Sequence, residues 1–301
     1  MGYIKSLNIV RILFMVFHFP PISGGGVVLI VDIINKLAEL GNGITVLTPD
    51  LEWRGEQYQP KINSKIKIVR VETPSKSNLK VAARRCQFNM KKKGVEVGKE
   101  QKFDFIFTIF HPFHLVPKAA ISCSKELGIP VVTKIDDAVY EQTSGLKSIQ
   151  RKIEKIINSK TLQNSDLLLV SNEKTKSIVK KYYNIPEKKI RIVPNSVELS
   201  KFKAVKDRKD RCIVFSGAMY YHRGLDILLN AAPKIITKFS DVKIILLGSG
   251  PEFDNLKKIV KDKKLDSNIE FTGWIEREKI PNYLSKASVG IGPLRLTKVT
   301  S

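Results

Sequence analysis

Cysteine, histidine and tryptophan are all scarce in this chain. Its 301 residues include three cysteines, four histidines and two tryptophans. Cys86, Cys123 and Cys212 are widely separated, form no CxxC pair and form no metal-ligand cluster with the histidines. This pattern argues against a disulfide scaffold or a zinc site, and it favours reduced, buried cysteines in a reducing compartment.

Long hydrophobic runs are also missing from the sequence. The most apolar N-terminal stretch, residues 9–19, is too short to span a bilayer and is interrupted by Arg11. It also lacks a small-residue cleavage site, so we expect neither a transmembrane helix nor a signal peptide. Hydrophobic residues still make up 43% of the chain, which is enough to build the cores of two domains.

Acidic residues are much less frequent than basic residues in this chain. The chain has 52 lysines and arginines against 29 aspartates and glutamates, a net charge of +23. Three kinds of partner fit this excess: nucleic acid, an anionic membrane surface or phosphorylated small molecules. A lysine-rich composition can also reflect the source organism. Because the sequence shows no helix-turn-helix, zinc-ligand or aromatic RNA-binding signature, we expect no nucleic-acid partner.

Short apolar runs alternate with longer helical stretches over the first two thirds of the chain. The runs are near-continuously apolar, which is typical of strands buried on both faces of a parallel sheet. A helix predicted at residues 27–40 and ended by Gly41 separates the first two runs. Repeated βαβ units predict a doubly wound α/β domain over residues 1–194. Strands are predicted at 8–17, 44–48, 66–71, 105–109, 131–135, 167–171 and 190–193.

A polar, charged segment at residues 195–211 is predicted to be a linker, and the pattern then restarts. Residues 212–301 are predicted to form a second α/β domain. No predicted helix follows its last strand to cover the sheet, so we expect this domain to be incomplete and the chain to be a fragment. Its strands are predicted at 212–216, 242–247, 269–272 and 289–292, and its helices at 224–239, 252–264 and 279–286.

A series of short motifs resembles the retaining glycosyltransferases of family 4, also called group 1. None is specific alone, but their order and spacing along nearly the whole chain match that family. The resemblance implies the GT-B fold, in which two Rossmann-like domains are combined. The motifs are PPISGGG at 20–26, LGNGITV at 40–46, IVPNSVE at 192–198 with Phe202, SG at 216–217, RGLDILL at 223–229, LGSGPE at 247–252 and FTG at 271–273.

The resemblance implies transfer of a sugar from a nucleoside-diphosphate sugar, with retention, to a glycan or lipid-linked acceptor. It implies no metal and no other cofactor. Gly24, Gly25 and Gly26 follow a predicted strand and open a helix, where free N–H groups can bind an anion. In the family this loop approaches the donor phosphates. A tight strand-to-helix turn is the structural alternative.

A positive charge is expected beside the departing diphosphate in a metal-independent enzyme. The family usually places an arginine and then a lysine at the start of the second domain. Here Ala218 and Arg223 occupy these two places, so Arg223 is the expected catalytic cation. The resemblance also implies donor contacts elsewhere in this domain, although Trp274 could equally be a packing residue. The implied donor-binding residues are Gly217, His222, Gly248, Gly250 and Trp274.

Two polar clusters follow adjacent strands of the first domain. His111 and His114 follow the predicted strand at 105–109, while Asp136 and Asp137 follow the strand at 131–135. Ligands bind at the carboxyl ends of such strands, where an imidazole or carboxylate can orient an acceptor hydroxyl. We therefore expect His111 and Asp136 to be catalytic, with His18, His114 and Asp137 on the acceptor side. A structural role remains an equal alternative for each histidine.

The E-x7-E motif of the family should follow the strand that ends near Pro293, and it does not occur before Ser301. We therefore expect weak or no turnover by this chain. Two alternative functions stay open: the protein could be a non-catalytic remnant that binds an acceptor or partner through its first domain, or a basic nucleic-acid-binding protein.

Two basic segments of the first domain suggest an anionic membrane surface. In the first, an apolar helical stripe is surrounded by lysines and arginines; the second is a basic helix predicted at residues 147–160. A core-facing helix with a solvated charged face is the alternative for each. We expect a cytoplasmic protein, peripheral on the inner face of the membrane. The stripe consists of Leu79, Ala82, Ala83, Cys86 and Met90.

Overall fold

The computed structural model describes residues 9–52, 57–74, 78–136, 146–203 and 211–295. These residues divide into two compact units, each with its own sheet and hydrophobic core. Within the described residues, unit 1 ends at Asn195 and unit 2 begins at Ser196.

Unit 1 is built on a parallel sheet, and its described strands all fall on predicted apolar runs. They are β1 (Arg11–Met15), β2 (Gly43–Pro49), β3 (Lys67–Val71), β4 (Phe105–Phe110), β5 (Val131–Ile135), β6 (Leu167–Val170) and β7 (Ile190–Ile192). Their order across the sheet is β3-β2-β1-β4-β5-β6-β7. The chain therefore moves outward in one direction from β1 and in the other from β4, which makes the β1–β4 junction the topological switch point.

Among the residues that the structure describes, five α-helices connect these strands: α1 (Gly25–Glu39), α2 (Leu79–Glu100), α3 (Val116–Leu127), α4 (Leu146–Gln163) and α5 (Glu173–Tyr182). The connection from β1 to β2 through α1 runs in one direction across the sheet, and the connections through α2, α3, α4 and α5 run in the other direction. Because parallel crossovers are right-handed, α1 covers one face, and the helices α2 to α5 cover the other.

The prediction that every strand is buried on both faces is wrong for β3. Lys67, Ile68 and Arg70 of this strand are exposed. The physical reason is position, because β3 pairs with β2 alone among the described strands and forms the edge of the sheet. Strands in the middle of the sheet, such as β1 and β4, are buried as predicted.

The apolar stripe on α2 faces the core, so the prediction that it contacts a membrane is wrong. Ala82, Ala83, Cys86 and Met90 are all buried in the core of unit 1. The side chain of Leu79 lies outside the described residues. Packing of α2 against α3 and the sheet explains this burial, and the charged face of α2 points outward. Burial also raises the pKa of Cys86 and of Cys123 on α3 to about 12.

Close approach between α2 and α3 depends on two glycines. A Cβ atom added to Gly94 would lie 3.0 Å from Sγ of Cys123 and 3.3 Å from Cε of Met15. One added to Gly98 would lie 2.3 Å from Cδ1 of Leu127. A larger side chain at either position would therefore force the facing side chains of Cys123, Met15 or Leu127 to move.

Unit 2 carries a second, smaller parallel sheet. Its described strands are β8 (Cys212–Ser216), β9 (Lys243–Leu247), β10 (Ile269–Gly273) and β11 (Val289–Gly290), in the order β10-β9-β8-β11. Its helices are α6 (Leu225–Lys238), α7 (Phe253–Asp262) and α8 (Ile280–Lys286). The predicted strands and helices of this region are confirmed. Its core includes Leu228, Leu229, Ile244, Leu246 and Leu256.

Replacing Gly94 with valine should lower the free energy of unfolding by about 1–3 kcal/mol, because the added methyl groups overpack the α2–α3 contact. Urea denaturation followed by circular dichroism measures the change. Lys92→Val is the matched control, since Lys92 is exposed on the same helix, and it should alter stability by less than about 0.5 kcal/mol. Equal effects of the two substitutions would contradict the packing role of Gly94.

Candidate functional site

Three histidines meet at the switch point of the unit 1 sheet. His18 follows β1, and His111 and His114 follow β4. The rings of His111 and His114 are stacked with centroids 4.3 Å apart, and His18 contacts His114 edge-on at 4.7 Å. Phe17 packs against His114 at 4.1 Å. Sequence reasoning placed His111 and His114 after a strand and gave His18 as a further candidate, and the structure brings all three together.

Two members of this histidine cluster are held in the neutral form. Burial, with a smaller contribution from His111, lowers the pKa of His18 to about 4. Burial also lowers the pKa of His114 to about 2, with contributions from His111 and then His18. At neutral pH these imidazoles can therefore donate or accept hydrogen bonds without carrying charge.

The loop that carries His111 and His114 is held from two sides. The amide of Leu115 donates to the carbonyl of Ala83 on α2 at 3.0 Å. The side-chain amide of Asn158 on α4 donates to the carbonyl of Pro112 at 3.2 Å. These bonds to separate helices fix the loop relative to the sheet, so the histidine rings project from a rigid base.

Asp136 lies at the end of β5 beside His111 at the end of β4, because Phe110 and Ile135 are paired in the sheet. Its carboxylate is already engaged, with Oδ1 lying 2.8 Å from Nζ of the buried Lys134 in an ion pair. This pairing competes with a role as a free acceptor base, and a catalytic role for Asp136 stays a prediction. Asp137 lies outside the described residues.

Lys134 is a site residue that sequence reasoning missed. Its signal was a single lysine within the apolar run VVTKI of β5. A buried ammonium group is costly unless paired, so Asp136 and Lys134 stabilise each other in this position. Their ion pair places a fixed dipole at the carboxyl end of β5.

The N-terminus of α1 offers open space around its glycines. Cβ atoms built on Gly24, Gly25 and Gly26 would have no neighbouring atom within 4 Å. No side chain among the described residues caps this helix, and its first turn contains no acidic residue. The N–H groups of a first turn carry partial positive charge, so this end of α1 is compatible with an anion.

The glycine loops of unit 2 are closely packed against one another. A Cβ atom on Gly248 would lie 2.2 Å from the carbonyl oxygen of Gly217, and one on Gly250 would lie 2.7 Å from backbone atoms of Met219. Hydrogen bonds join the same loops. The amide of Met219 donates to the carbonyl of Ser249 at 2.9 Å, and the amide of Gly248 donates to the carbonyl of Gly273 at 2.9 Å. Loop packing thus accounts for these glycines, and their contact with a donor stays a prediction.

The turn that carries His222 and Arg223 is fixed by the segment after β11. Gly224 has φ of 65°, and a Cβ atom there would lie 2.0 Å from the carbonyl oxygen of Pro293. The amide of Arg295 donates to the carbonyl of His222 at 2.9 Å. No motif pointed to Arg295, because its role arises from tertiary contacts.

The side chain of Arg295 reinforces this attachment. Its guanidinium forms an ion pair with Asp226 and lies over the ring of Tyr221, 4.2 Å from the centroid. Together, the backbone and side-chain contacts hold the Tyr221–Arg223 turn at the N-terminus of α6.

Arg223 itself is only partly buried, and its Nε atom has no hydrogen-bond partner among the described residues. The ring of His222 stacks on Tyr220, with centroids 5.6 Å apart. Trp274, which follows Gly273 at the end of β10, is 38% exposed, so its ring is not part of the core. Arg223 thus lies on the turn after β8, at the carboxyl end of the unit 2 sheet, with a buried Nε atom.

No three histidine, cysteine, aspartate or glutamate side chains in the described ranges are grouped in a way that could hold a metal ion. The rings of the histidine cluster contact one another by stacking and by edge-on packing.

Two parallel α/β units, each with its candidate groups at the carboxyl ends of the strands, define a protein of the GT-B class. Residues 23–201 match Glycosyltransferase Family 4, and residues 196–296 match Glycosyl transferases group 1. The first match alone covers more than half of the chain, which therefore belongs to this family of glycosyltransferases. This confirms the family predicted from the motifs.

Named relatives include two enzymes of lipid glycosylation. The chain is 22% identical over 297 residues to alpha-monoglucosyldiacylglycerol synthase of Streptococcus pneumoniae, covering 91% of this chain and 64% of that protein. It is 26% identical over 139 residues to the GPI3 subunit of phosphatidylinositol N-acetylglucosaminyltransferase of Saccharomyces cerevisiae, covering 43% and 30%. The chain thus spans less than two thirds of the length of either relative.

Solved structures establish the same fold at low sequence identity. Sucrose-phosphate synthase from Thermosynechococcus elongatus superposes with a TM-score of 0.73 at 14% identity, over 94% of this chain and 75% of that one. WaaG, a glycosyltransferase involved in lipopolysaccharide biosynthesis, gives 0.69 at 13% identity, over 95% and 76%. Anabaena Alr3699/HepE in complex with UDP and glucose gives 0.63 at 13% identity, over 93% and 73%.

Acidification should destabilise unit 1 through His18 and His114. The histidines of the unfolded chain titrate near pH 6.5, whereas in the folded state the pKa of each is lower, at about 4 and about 2. Below pH 6.5 the unfolded state therefore binds protons that the folded state does not, and the free energy of unfolding falls as the pH decreases. Between pH 7 and pH 5 we expect a loss of roughly 1–2 kcal/mol for each of the two histidines.

Urea denaturation at pH 7 and pH 5, followed by circular dichroism, measures this loss. A His18→Gln/His114→Gln variant is the control, because glutamine does not titrate and its stability should change much less between the two pH values. An equal pH dependence in the variant and in the unaltered chain would show that these histidines are not held neutral.

Proposed function

We propose that this protein is a hexosyl-type glycosyltransferase that uses a nucleoside-diphosphate sugar and transfers the sugar, with retention, to a hydroxyl of a glycan or lipid-linked acceptor. Family membership supports the reaction class. The UDP and glucose in the Alr3699/HepE structure support the donor class. The two lipid-glycosylating relatives support the acceptor class.

The turn at Arg223 is the observation that carries this proposal. A diphosphate leaving group develops negative charge, and a guanidinium offers a planar set of donors that matches phosphate oxygens. The contacts of Gly224 and Arg295 hold the turn in place before any ligand binds. Arg223 is thus a preorganised cation, and we propose that it stabilises the diphosphate without a resident metal or cofactor.

The histidine cluster of unit 1 is suited to form a hydrogen bond with the acceptor hydroxyl. We propose that His111, supported by the neutral rings of His114 and His18, orients this hydroxyl by hydrogen bonding. In the proposed step the bond between the sugar carbon and the phosphate oxygen breaks, and the acceptor oxygen bonds to the same face of that carbon. The acceptor proton passes to the departing phosphate oxygen, so no enzyme carboxylate has to act as a nucleophile.

The free, buried cysteines support a location in a reducing compartment. We therefore propose that transfer takes place on the cytoplasmic side, with the donor drawn from solution.

Replacing Arg223 with alanine should weaken UDP binding about tenfold or more, which corresponds to about 1.4 kcal/mol or more for lost charge-assisted hydrogen bonds. Binding of uridine, which has no phosphate, should change little. Titration calorimetry with UDP and uridine separates the two effects, and GDP and guanosine extend the test to another base. The proposal concerns phosphate, so the ratio of nucleotide to nucleoside affinity is the decisive quantity.

Lys234→Ala is the matched control, because Lys234 is an exposed cation near the far end of the adjoining helix α6. It removes the same charge and should leave the affinity for UDP unchanged. Equal losses of UDP and uridine binding in Arg223→Ala, or equal losses of UDP binding in both variants, would contradict a phosphate contact at Arg223.

A further inference from the structure

The helix α4 of unit 1 buries polar residues as well as Leu162 and leaves a stripe of isoleucines exposed. Its outward face carries Ile153, Ile156 and Ile157, which are 54%, 57% and 37% exposed. The described residues that α4 buries include the polar Asn158 and Thr161. A surface helix of a globular protein normally buries its apolar stripe and exposes its polar residues.

The inward polar residues of α4 form hydrogen bonds within unit 1, which explains why this face of the helix points inward. The side-chain amide of Asn158 donates to the carbonyl of Pro112, and the hydroxyl of Thr161 donates to the carbonyl of Ile157 at 2.9 Å. Rotating α4 to bury its isoleucines would break the attachment of Asn158 to the loop between β4 and α3. The contact of Asn158 with Pro112 thus keeps the isoleucine stripe exposed.

The three isoleucines form one continuous surface with a lysine. Residues at positions i, i+3, i+4 and i+7 share one face of a helix, and Ile153, Ile156, Ile157 and Lys160 have this spacing. Lys160 is exposed within the stripe, and Lys152 is exposed at its edge. We call Ile153, Ile156, Ile157, Lys152 and Lys160 the α4 surface.

The charged residues of the α4 surface, Lys152 and Lys160, are both positive. Helix α4 contains five basic residues and one acidic residue, Glu154, in the sequence LKSIQRKIEKIINSKTLQ. By helical spacing Glu154 lies on the inward half, and it is partly buried. Lys155 lies at the side of the helix, with Nζ 4.1 Å from the centre of the Tyr182 ring. An apolar stripe bordered by lysines is complementary to a surface that presents hydrocarbon and negative charge together.

We propose that the α4 surface lies on an anionic lipid bilayer, with the isoleucines inserted at the level of the headgroups and with Lys152 and Lys160 on lipid phosphates. The contact is peripheral, since within the residues that the structure describes no helix is both long and apolar enough to cross a membrane. A second copy of the chain is a poorer occupant, because a symmetric pairing of this surface would bring its lysines together, on chains that each carry +23.

The bond from Asn158 to Pro112 also connects α4 to the histidine cluster. The same loop carries His111 and the exposed Phe113. Asn158 faces inward, so this loop contacts α4 on the side opposite to the isoleucines, and a bilayer on the α4 surface would be separated from the loop by about the 10 Å diameter of one helix. A membrane lipid as the acceptor rests on the proposed function, whereas membrane binding itself can be measured without any turnover.

Vesicle sedimentation of the full chain tests the surface directly. The chain should bind vesicles of phosphatidylcholine and phosphatidylglycerol, and it should bind vesicles of phosphatidylcholine alone at least tenfold more weakly. The triple variant Ile153→Ser/Ile156→Ser/Ile157→Ser should lose at least about tenfold in affinity for the anionic vesicles. Lys152→Glu/Lys160→Glu should lose a similar factor, and its remaining binding should depend less on salt.

Leu40→Ser is the matched control. Leu40 ends α1 on the opposite face of the sheet, and it is 57% exposed, as is Ile156. This substitution removes an equally exposed side chain and should leave vesicle binding unchanged.

A fluorescent label gives a readout that does not depend on a loss of binding. In an Ile156→Cys variant the introduced thiol is exposed, whereas Cys86, Cys123 and Cys212 are buried, and the pKa of the first two is about 12. An environment-sensitive maleimide should therefore react mainly at position 156. Its emission should shift to the blue on anionic vesicles, and the same label on Leu40→Cys should not shift.

Unchanged vesicle binding by the triple serine variant would overturn the proposal. Equal binding to neutral and anionic vesicles, or an unshifted label at position 156 on bound protein, would also overturn it. A dimer that forms without lipid and is lost in the triple serine variant would identify a second copy of the chain as the occupant instead.

Discussion

Parallel pairing of the strands is the constraint on which both units depend. In a parallel sheet every strand ends at the same edge, so residues far apart in sequence become neighbours there. His18 follows β1, His111 follows β4 and Asp136 follows β5, while Gly217 and Gly248 follow β8 and β9. The hydrophobic runs that bury the strands therefore also decide where the polar groups meet, and the chemistry of the protein follows from the packing of its two sheets.

Glycine serves two different purposes at these sheet edges. In unit 2, Gly248 and Gly250 let the loops after β8 and β9 approach to backbone contact, and Gly224 admits the segment that carries Arg295. These contacts make the edge rigid before a ligand binds, which is how a cation such as Arg223 can stabilise charge at little reorganisation cost. Around Gly25 in unit 1 there is open space instead, so a ligand can approach the end of α1.

Most of the fold could be predicted from the sequence, because strands buried on both faces leave uninterrupted apolar runs. The prediction failed at β3, whose burial is set by its edge position, and at the α2 stripe, whose direction is set by α3. The family resemblance led to Arg223, but no local pattern shows that Asp136 pairs with Lys134 or that Asn158 faces inward on α4. Which face of a helix is buried depends on its neighbours, and sequence spacing alone does not contain that information.

We propose an enzyme that combines a fixed cation in unit 2 with a neutral histidine cluster and a lipid-facing helix in unit 1. The central claim is that Arg223 holds the diphosphate of the donor, and a crystal structure of the chain with bound UDP tests this most directly. We predict phosphate oxygens at about 3 Å from the guanidinium of Arg223, next to the loops of Gly217 and Gly248. A diphosphate bound elsewhere, with Arg223 directed into solvent, would contradict the claim.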